Sequence, residues 1–183
     1  MADLVRDVSD FMTPEEFEET SRDPESGIRR YCRRLAKIYK SEESIGGLPI
    51  NMKGFQLFDA EHRSSWPLDI AYEAAKLTEP EKAEAFLRNL QYATIVETRQ
   101  TTKEEEILRV AGKSGLNGKS FLQALHDGSA EEEFHKDLAY TRSLGICSLP
   151  AFDIQYGDKT VLIKSLISYE IFTEIINKII NQQ

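Results

Sequence analysis

Cysteine is scarce in this chain: Cys32 and Cys147 are the only two among 183 residues. They lie too far apart in sequence for a short redox or metal-binding motif, and two thiols cannot build a disulfide framework. Both are therefore expected reduced and mostly buried. Histidine is almost as rare. His62, His126 and His135 fall in none of the H-x-x-x-H, H-E-x-x-H or cysteine–histidine spacings that hold a metal, so each reads as a surface or cap residue. His62 stands apart only because it adjoins Arg63 and Trp66 at the entrance to a helix. No glycine-rich loop offers a phosphate cradle, and the carboxylates lie on solvated helix faces where no acid–base pair can be singled out. Neither a cofactor nor a metal is expected. Basic charge is also short, with 23 Lys and Arg against 31 Asp and Glu and a net charge of -8. A nucleic acid or an anionic membrane would have to bind against that field, and both are excluded as partners. Long apolar runs are missing too. With neither a spanning segment nor a basic-then-apolar start, the chain is expected in the cytoplasm.

What the chain does have is enough apolar material to fold. Hydrophobic residues make up 40% and charged residues 30%, which suits a globular protein with a core of its own. The opening MADLVRDV, with Leu4, Val5 and Val8 apolar, suits a short strand or the exit from one. Thr13-Pro14-Glu15-Glu16 then carries the cap, the first-turn proline and the acidic first turn of a helix, and Asp23-Pro24 repeats that grammar for a helix to about Lys40. Its basic residues Arg29, Arg30, Arg33, Arg34 and Lys37 read as a solvated face opposite Ile28, Tyr31, Leu35 and Ile38. Ser41 to Arg63, with Gly46, Gly47, Pro49 and Gly54, reads as a long irregular connection whose one strand-like piece is Phe55 to Phe58.

From about residue 64 to 144 the pattern is helical. Ser64 or Ser65 caps a helix with Ile70, Ala71, Ala74 and Leu77 inward. Pro80 opens one with Ala83, Phe86, Leu87, Leu90 and Thr94 at three- and four-residue steps, and Thr102 opens one with Ile107, Leu108 and Ala111. Asn117 and Ser129 are expected caps of two more. After Gly145 the period changes to two: AFDIQY and TVLIKS flank a tight turn at Tyr156-Gly157-Asp158-Lys159 and form a hairpin. A last amphipathic helix follows, with Ile171, Ile175 and Ile179 on one stripe beside Phe172 and Ile176.

A loop ending in proline, a hairpin and a terminal helix, preceded by a helical block, resembles the DsbA variation of the thioredoxin fold. AFLRNLQYATIVETRQTTKEEEILRVAGKSGLNGKSFLQAL resembles the helical domain of DsbA-family oxidoreductases, especially FrnE-like members, and DLAYTRSLGICSLPAF resembles their approach to the proline loop. The resemblance covers about residues 64–180. It implies an α/β thioredoxin-like protein that is rich in helix and has a small sheet. Its parts would be a partial thioredoxin-like segment and irregular connection over 1–63, an inserted helical domain over 64–144, and the C-terminal thioredoxin-like half over 145–183. It further implies a cis Leu149-Pro150 bond and a substrate edge formed by Ser148, Leu149 and Pro150, with a thiol- or disulfide-bearing protein or peptide as partner. A homo-oligomer is compatible with all of this.

The family's C-x-x-C motif, where a helix N-terminus activates the first thiol, is missing from this sequence. MADLVRDVSDFM resembles instead the family's second strand and the segment after it. The chain is thus expected either to be a fragment or to represent a lineage without the redox centre. The gap left by a first strand is expected to be filled by another chain, by a rearranged N-terminal segment, or by nothing, leaving an exposed edge. Cys147, two residues before Leu149, is the one candidate for thiol chemistry. It has no resolving partner and no basic neighbour in sequence, so packing is the competing role. Cys32, a turn from Arg29 and Arg33, is a second and lesser candidate. Two functions remain open: thiol–disulfide oxidoreductase or isomerase, and a non-enzymatic peptide-binding adaptor that uses the groove. A kappa-type glutathione-transferase relative shares the fold and is a third.

Overall fold

The computed structural model describes residues 5–46, 49–51, 53–147 and 149–181. Two compact units divide them, one running to Asp137 and the other starting at Leu138.

The first unit begins with Val8–Phe11 in a 3-10 turn capped by Asp7, where a strand was expected. Two backbone bonds tie this stretch to the chain before the third helix: Ser65 N–H donates to Val5 O at 2.8 Å and Val8 N–H to Arg63 O at 2.9 Å. Arg63 also clamps the Asp7 carboxylate with two bonds of 2.8 and 2.9 Å. Two bonds do not make a ladder, and Asp7 competes for the next amides by accepting from Ser9 N–H. Leu4 lies outside the described residues.

Helices α1 (Pro14–Arg22) and α2 (Pro24–Gly46) follow. Thr13 and Glu16 form a reciprocal capping box. The two helices approach so closely that a Cβ on Gly27 would lie 2.4 Å from the backbone nitrogen of Thr20, which only glycine permits. Helix α2 continues past Lys40 to Gly46, through a stretch whose sequence reads as irregular. Its basic face is not simply solvated either. Arg34 donates to both oxygens of the buried Glu16 at 2.9 Å and lies 5.1 Å over the Tyr31 ring, and Arg30 reaches Glu19 at 3.2 Å. Glu16 titrates below the ordinary carboxylate range: burial pushes it up, but Arg34 and the Thr13 amide outweigh that.

Phe55, Leu57 and Phe58 form no strand. With no neighbour to pair with, this piece buries all three side chains against Ile28, Tyr31, Cys32 and Ala36 of α2. Hydrophobic burial, not sheet formation, explains its apolar run.

Helices α3 (Trp66–Thr78), α4 (Pro80–Ile95), α5 (Glu104–Lys113) and α6 (Gly118–His126) enclose a second core built on Ala71, Ala74, Phe86, Leu90, Ile107 and Phe121. Leu77 is exposed, because the buried face of α3 runs through Ala71, Ala74 and Ala75. Helix α5 starts two residues after Thr102, whose hydroxyl is taken inward to donate to Leu57 O at 2.5 Å. Asn117 caps α6 as expected, accepting from Lys119 and Ser120 N–H. Asn117→Ala should lower the melting temperature by about 2–4 °C, as expected for loss of one cap worth about 1 kcal/mol in a chain of this size, and a thermal melt followed by circular dichroism checks it. Helix α7 (Ser129–Ser143) starts at Ser129 instead of being capped by it, since Asp127 accepts the Ser129 amide.

In the second unit, β1 (Phe152–Tyr156) pairs antiparallel with β2 (Lys159–Ile163) across a two-residue loop in which Gly157 has φ 61°. Helix α8 (Tyr169–Asn181) packs back on this hairpin, with the Phe172 and Phe152 rings 5.6 Å apart. Ile179 is buried, whereas Ile171, expected on the inner stripe, is exposed and Phe172 takes its place. The sheet has two strands among the described residues, and its edges are unpaired there.

Candidate functional site

The second unit brings the proline loop together with the end of α7 and the start of β1. Helix α7 stops at a glycine: Gly145, at φ 62°, adopts the left-handed conformation that ends helices, and Lys164 from beyond β2 donates to Leu144 O at 3.2 Å and Gly145 O at 2.7 Å. A lysine ammonium on the last carbonyls of a helix also opposes the negative end of its dipole. The loop leaving that helix is thus pinned at its root.

Cys147 follows, exposed, with Sγ 3.7 Å from Gly145 O as its hydrogen-bond acceptor. Ser148 lies outside the described residues. Leu149 is 48% exposed, Pro150 is half-buried, and the bond between them is cis. Immediately after, Asp153 and Gln155 on one face of β1 join Tyr140 of α7. Tyr140 Oη donates to Asp153 Oδ2, and Gln155 Nε2 donates to the same carboxylate oxygen at 2.8 Å and to Tyr140 Oη at 2.9 Å. Accordingly the Tyr140 hydroxyl is held as the protonated donor, its pKa raised by Asp153. This network fixes the strand that carries the loop and was not anticipated from sequence. The alternation of Asp153 and Gln155 was visible, but their partner lies a helix away.

Thiol chemistry within this chain has little to work with. Cys32 is fully buried, its Sγ is 3.8 Å from Phe58 O, and desolvation raises its pKa, the opposite of an activated thiolate. His62 is taken up locally, with Nδ1 2.8 Å from Asp59 Oδ1. Among the described residues no group of three His, Cys, Asp or Glu side chains could hold a metal, and no helix is long and apolar enough to cross a membrane.

Comparison with known proteins gives this geometry its relatives. The family model described as thioredoxin matches residues 18–174. The chain belongs to the thioredoxin family. Its architecture is the helix-rich thioredoxin-like fold, and two solved structures share it. One is a Nitrosomonas europaea protein provisionally described as a protein disulfide isomerase, with a TM-score of 0.72 and 17% identity over 82% of this chain and 74% of that one. The other is the cytosolic disulfide reductase DsbM of Pseudomonas aeruginosa, with a TM-score of 0.60 and 18% identity over 77% and 72%. Curated relatives carry a different name. The ClpXP adapter protein SpxH of Halalkalibacterium halodurans is 27% identical over 118 residues, 64% of this chain and 38% of the relative. That of Bacillus subtilis is 23% identical over 152 residues, 81% and 51%. The chain therefore spans about half or less of the length of these two relatives.

As a thioredoxin-family member the chain has one unusual polar feature, on α3. Asp69 and Glu73 are 5% and 2% exposed, four residues apart on the side that also carries Trp66, and Trp66 Nε1, Asp69 Oδ2 and Glu73 Oε1 are buried without a hydrogen-bond partner. Burial raises both carboxyls, Asp69 to about 7, while Lys76 at 2.7 Å partly offsets the effect at Glu73. Their spacing with Trp66 and the small inward alanines was the one sequence signal for this, and charged residues on a helix were read as solvated.

Proposed function

We propose that this chain is a protein-binding module of the thioredoxin fold that acts as an adaptor in the cytoplasm, holding an extended protein segment along an edge formed by Ser148, Leu149 and Pro150. The observation that carries this reading is the division of its two thiols and its loop. Cys32 is sealed in the core of the first unit, Cys147 is solvent-exposed with no second thiol to resolve a mixed disulfide, and Leu149 is presented half-exposed beside it. An exposed leucine on a pinned loop is a recognition element, whereas a single thiol would stall in exchange chemistry. The adapter name of the curated relatives supports the same assignment. In this reading residues 64–144 are the inserted helical domain, and the partner is a protein or peptide, not a nucleic acid or a membrane.

The second reading is thiol–disulfide exchange or isomerisation of the FrnE-like, DsbA type. The exposed Cys147, two residues before Leu149, favours it. One experiment separates the two. Deleting the gene should raise the level of at least one protein whose turnover requires ClpXP. The intact gene and its Cys147→Ser variant should both restore that level, and Leu149→Asp should not. If Cys147→Ser fails to complement while the purified protein accelerates insulin reduction by dithiothreitol several-fold, the oxidoreductase reading replaces the adaptor.

A further inference from the structure

The second unit is under-buried for its size. It buries Leu138, Ile163 and Ile179 among its large apolar side chains but leaves Leu149, Phe152, Tyr156, Leu166, Tyr169 and Ile171 exposed. A hairpin of two strands is marginal alone, and three or more strands are the usual remedy. The free edge of β1 is where a further strand can add.

The register of the hairpin says which groups that edge offers. A two-residue loop closes on a hydrogen-bonded pair, here Tyr156 with Lys159. Alternation then makes Ile154 with Val161 and Phe152 with Ile163 hydrogen-bonded as well, so the N–H and C=O of Asp153 and Gln155 point outward, unpaired. Side chains alternate in the same way. Phe152, Ile154 and Tyr156 lie on the face that meets Phe172, and Asp153 and Gln155 lie on the face that meets Tyr140.

This edge is complementary to itself. An antiparallel copy set about a two-fold axis at Ile154 places Asp153 opposite Gln155 of the second copy and Gln155 opposite its Asp153. These are the residues with outward backbone groups, so two hydrogen-bonded pairs form without disturbing either hairpin. The side chains agree with the register. Each carboxylate faces an amide instead of another carboxylate, and Asp153 Oδ1, which has no partner, is free to accept from that amide. Phe152 meets Tyr156, an aromatic cross-strand pair, at both ends. No like charges oppose one another. We propose that two copies of this chain associate through β1, giving a four-stranded antiparallel sheet in the order β2-β1-β1-β2, an isologous interface closed by a two-fold axis. Such a dimer is independent of the adaptor reading.

Sedimentation equilibrium of the full chain at micromolar concentration should give twice the 20.9 kDa chain mass. Gln155→Pro removes one outward N–H while leaving every backbone bond of the hairpin in place, as proline does at strand edges. It should return the protein to the single-chain mass with its circular dichroism spectrum unchanged. A second variant tests the axis directly. Ile154 faces its own copy across a non-hydrogen-bonded pair with Cα atoms about 4.5 Å apart, inside the range of roughly 4.4–6.8 Å that a disulfide spans. In a Cys147→Ser background, Ile154→Cys should therefore form a covalent dimer on mild oxidation, and Thr160→Cys on β2 should not. A single-chain mass at every concentration tested overturns the proposal. So does a dimer that survives Gln155→Pro and fails to cross-link through position 154, because that dimer uses another surface.

Discussion

Asp69→Asn is expected to leave the protein about as stable as the parent at pH 4 and to make it more stable by about 2–4 kcal/mol above pH 7, a gain on the scale of three pH units of linkage. Burial holds the Asp69 carboxyl protonated up to about pH 7 in the folded chain, against 3.8 for an ordinary aspartate. Between those values the folded state keeps a proton that the unfolded state has released. Stability therefore falls as pH rises through this window, by about 1.4 kcal/mol per unit, and is lowest once the carboxylate is forced to ionise inside the first unit. Asparagine has no charge to desolvate and abolishes the slope. Glu73, four residues on, is raised for the same first reason and adds to the slope in the same direction, moderated by Lys76. Urea midpoints measured at one-unit intervals from pH 4 to pH 8 decide the matter. Equal slopes in the parent and in Asp69→Asn would falsify the assignment of the titration to this residue.

Much of the fold was legible because its local rules agree with its packing. Thr13, Pro14 and Glu16 spell a helix start, and both halves of the capping box form. The period of two in FDIQY and KTVLI, with Gly157 between them, defines a hairpin whose register follows from the turn alone. The failures share a physical cause: burial that depended on distant partners. Phe55, Leu57 and Phe58 have strand-like composition, yet the face of α2 claims them first. Arg34 reads as one more exposed cation in sequence, but Glu16, eighteen residues earlier, lies buried beneath it. Leu77 and Ile171 sit at plausible inward positions, but small alanines set the contact face of α3, and Phe172 sets that of α8.

The candidate site was legible as a loop and not as a surface. LGICSLPAF marks the place where helix gives way to strand, and the structure puts Cys147 and Leu149 outside and Lys164 at the root. The Tyr140, Asp153 and Gln155 network, and the free edge beside it, needed the hairpin register before either could be seen.

Phe86→Ala is expected to cost about 3–5 kcal/mol, with the value toward the upper end of that range. Phe86 and Phe121 are fully buried and meet edge to face at 5.5 Å, so removing one ring forfeits its transfer energy and the ring contact together. The neighbourhood decides how much of the resulting cavity closes. Ala71, Ala74, Ala75, Ala83, Ala93, Ala111, Ala124 and Ala130 make up most of the remaining cluster. Alanine has no rotamers with which to fill a void, so relaxation must come from whole helices moving, which close packing resists. Phe152→Ala in the second unit is the matched control. The same atoms are removed from a ring that is 37% exposed, and the cost should stay below about 1.5 kcal/mol because little cavity is left behind. Urea titrations of the two variants give the comparison. Against a total stability of about 5–15 kcal/mol for a typical domain, the first substitution removes a large share of what holds α3 to α6 together. If Phe86→Ala cost no more than Phe152→Ala, the four helices would have to be held by something other than their shared apolar core.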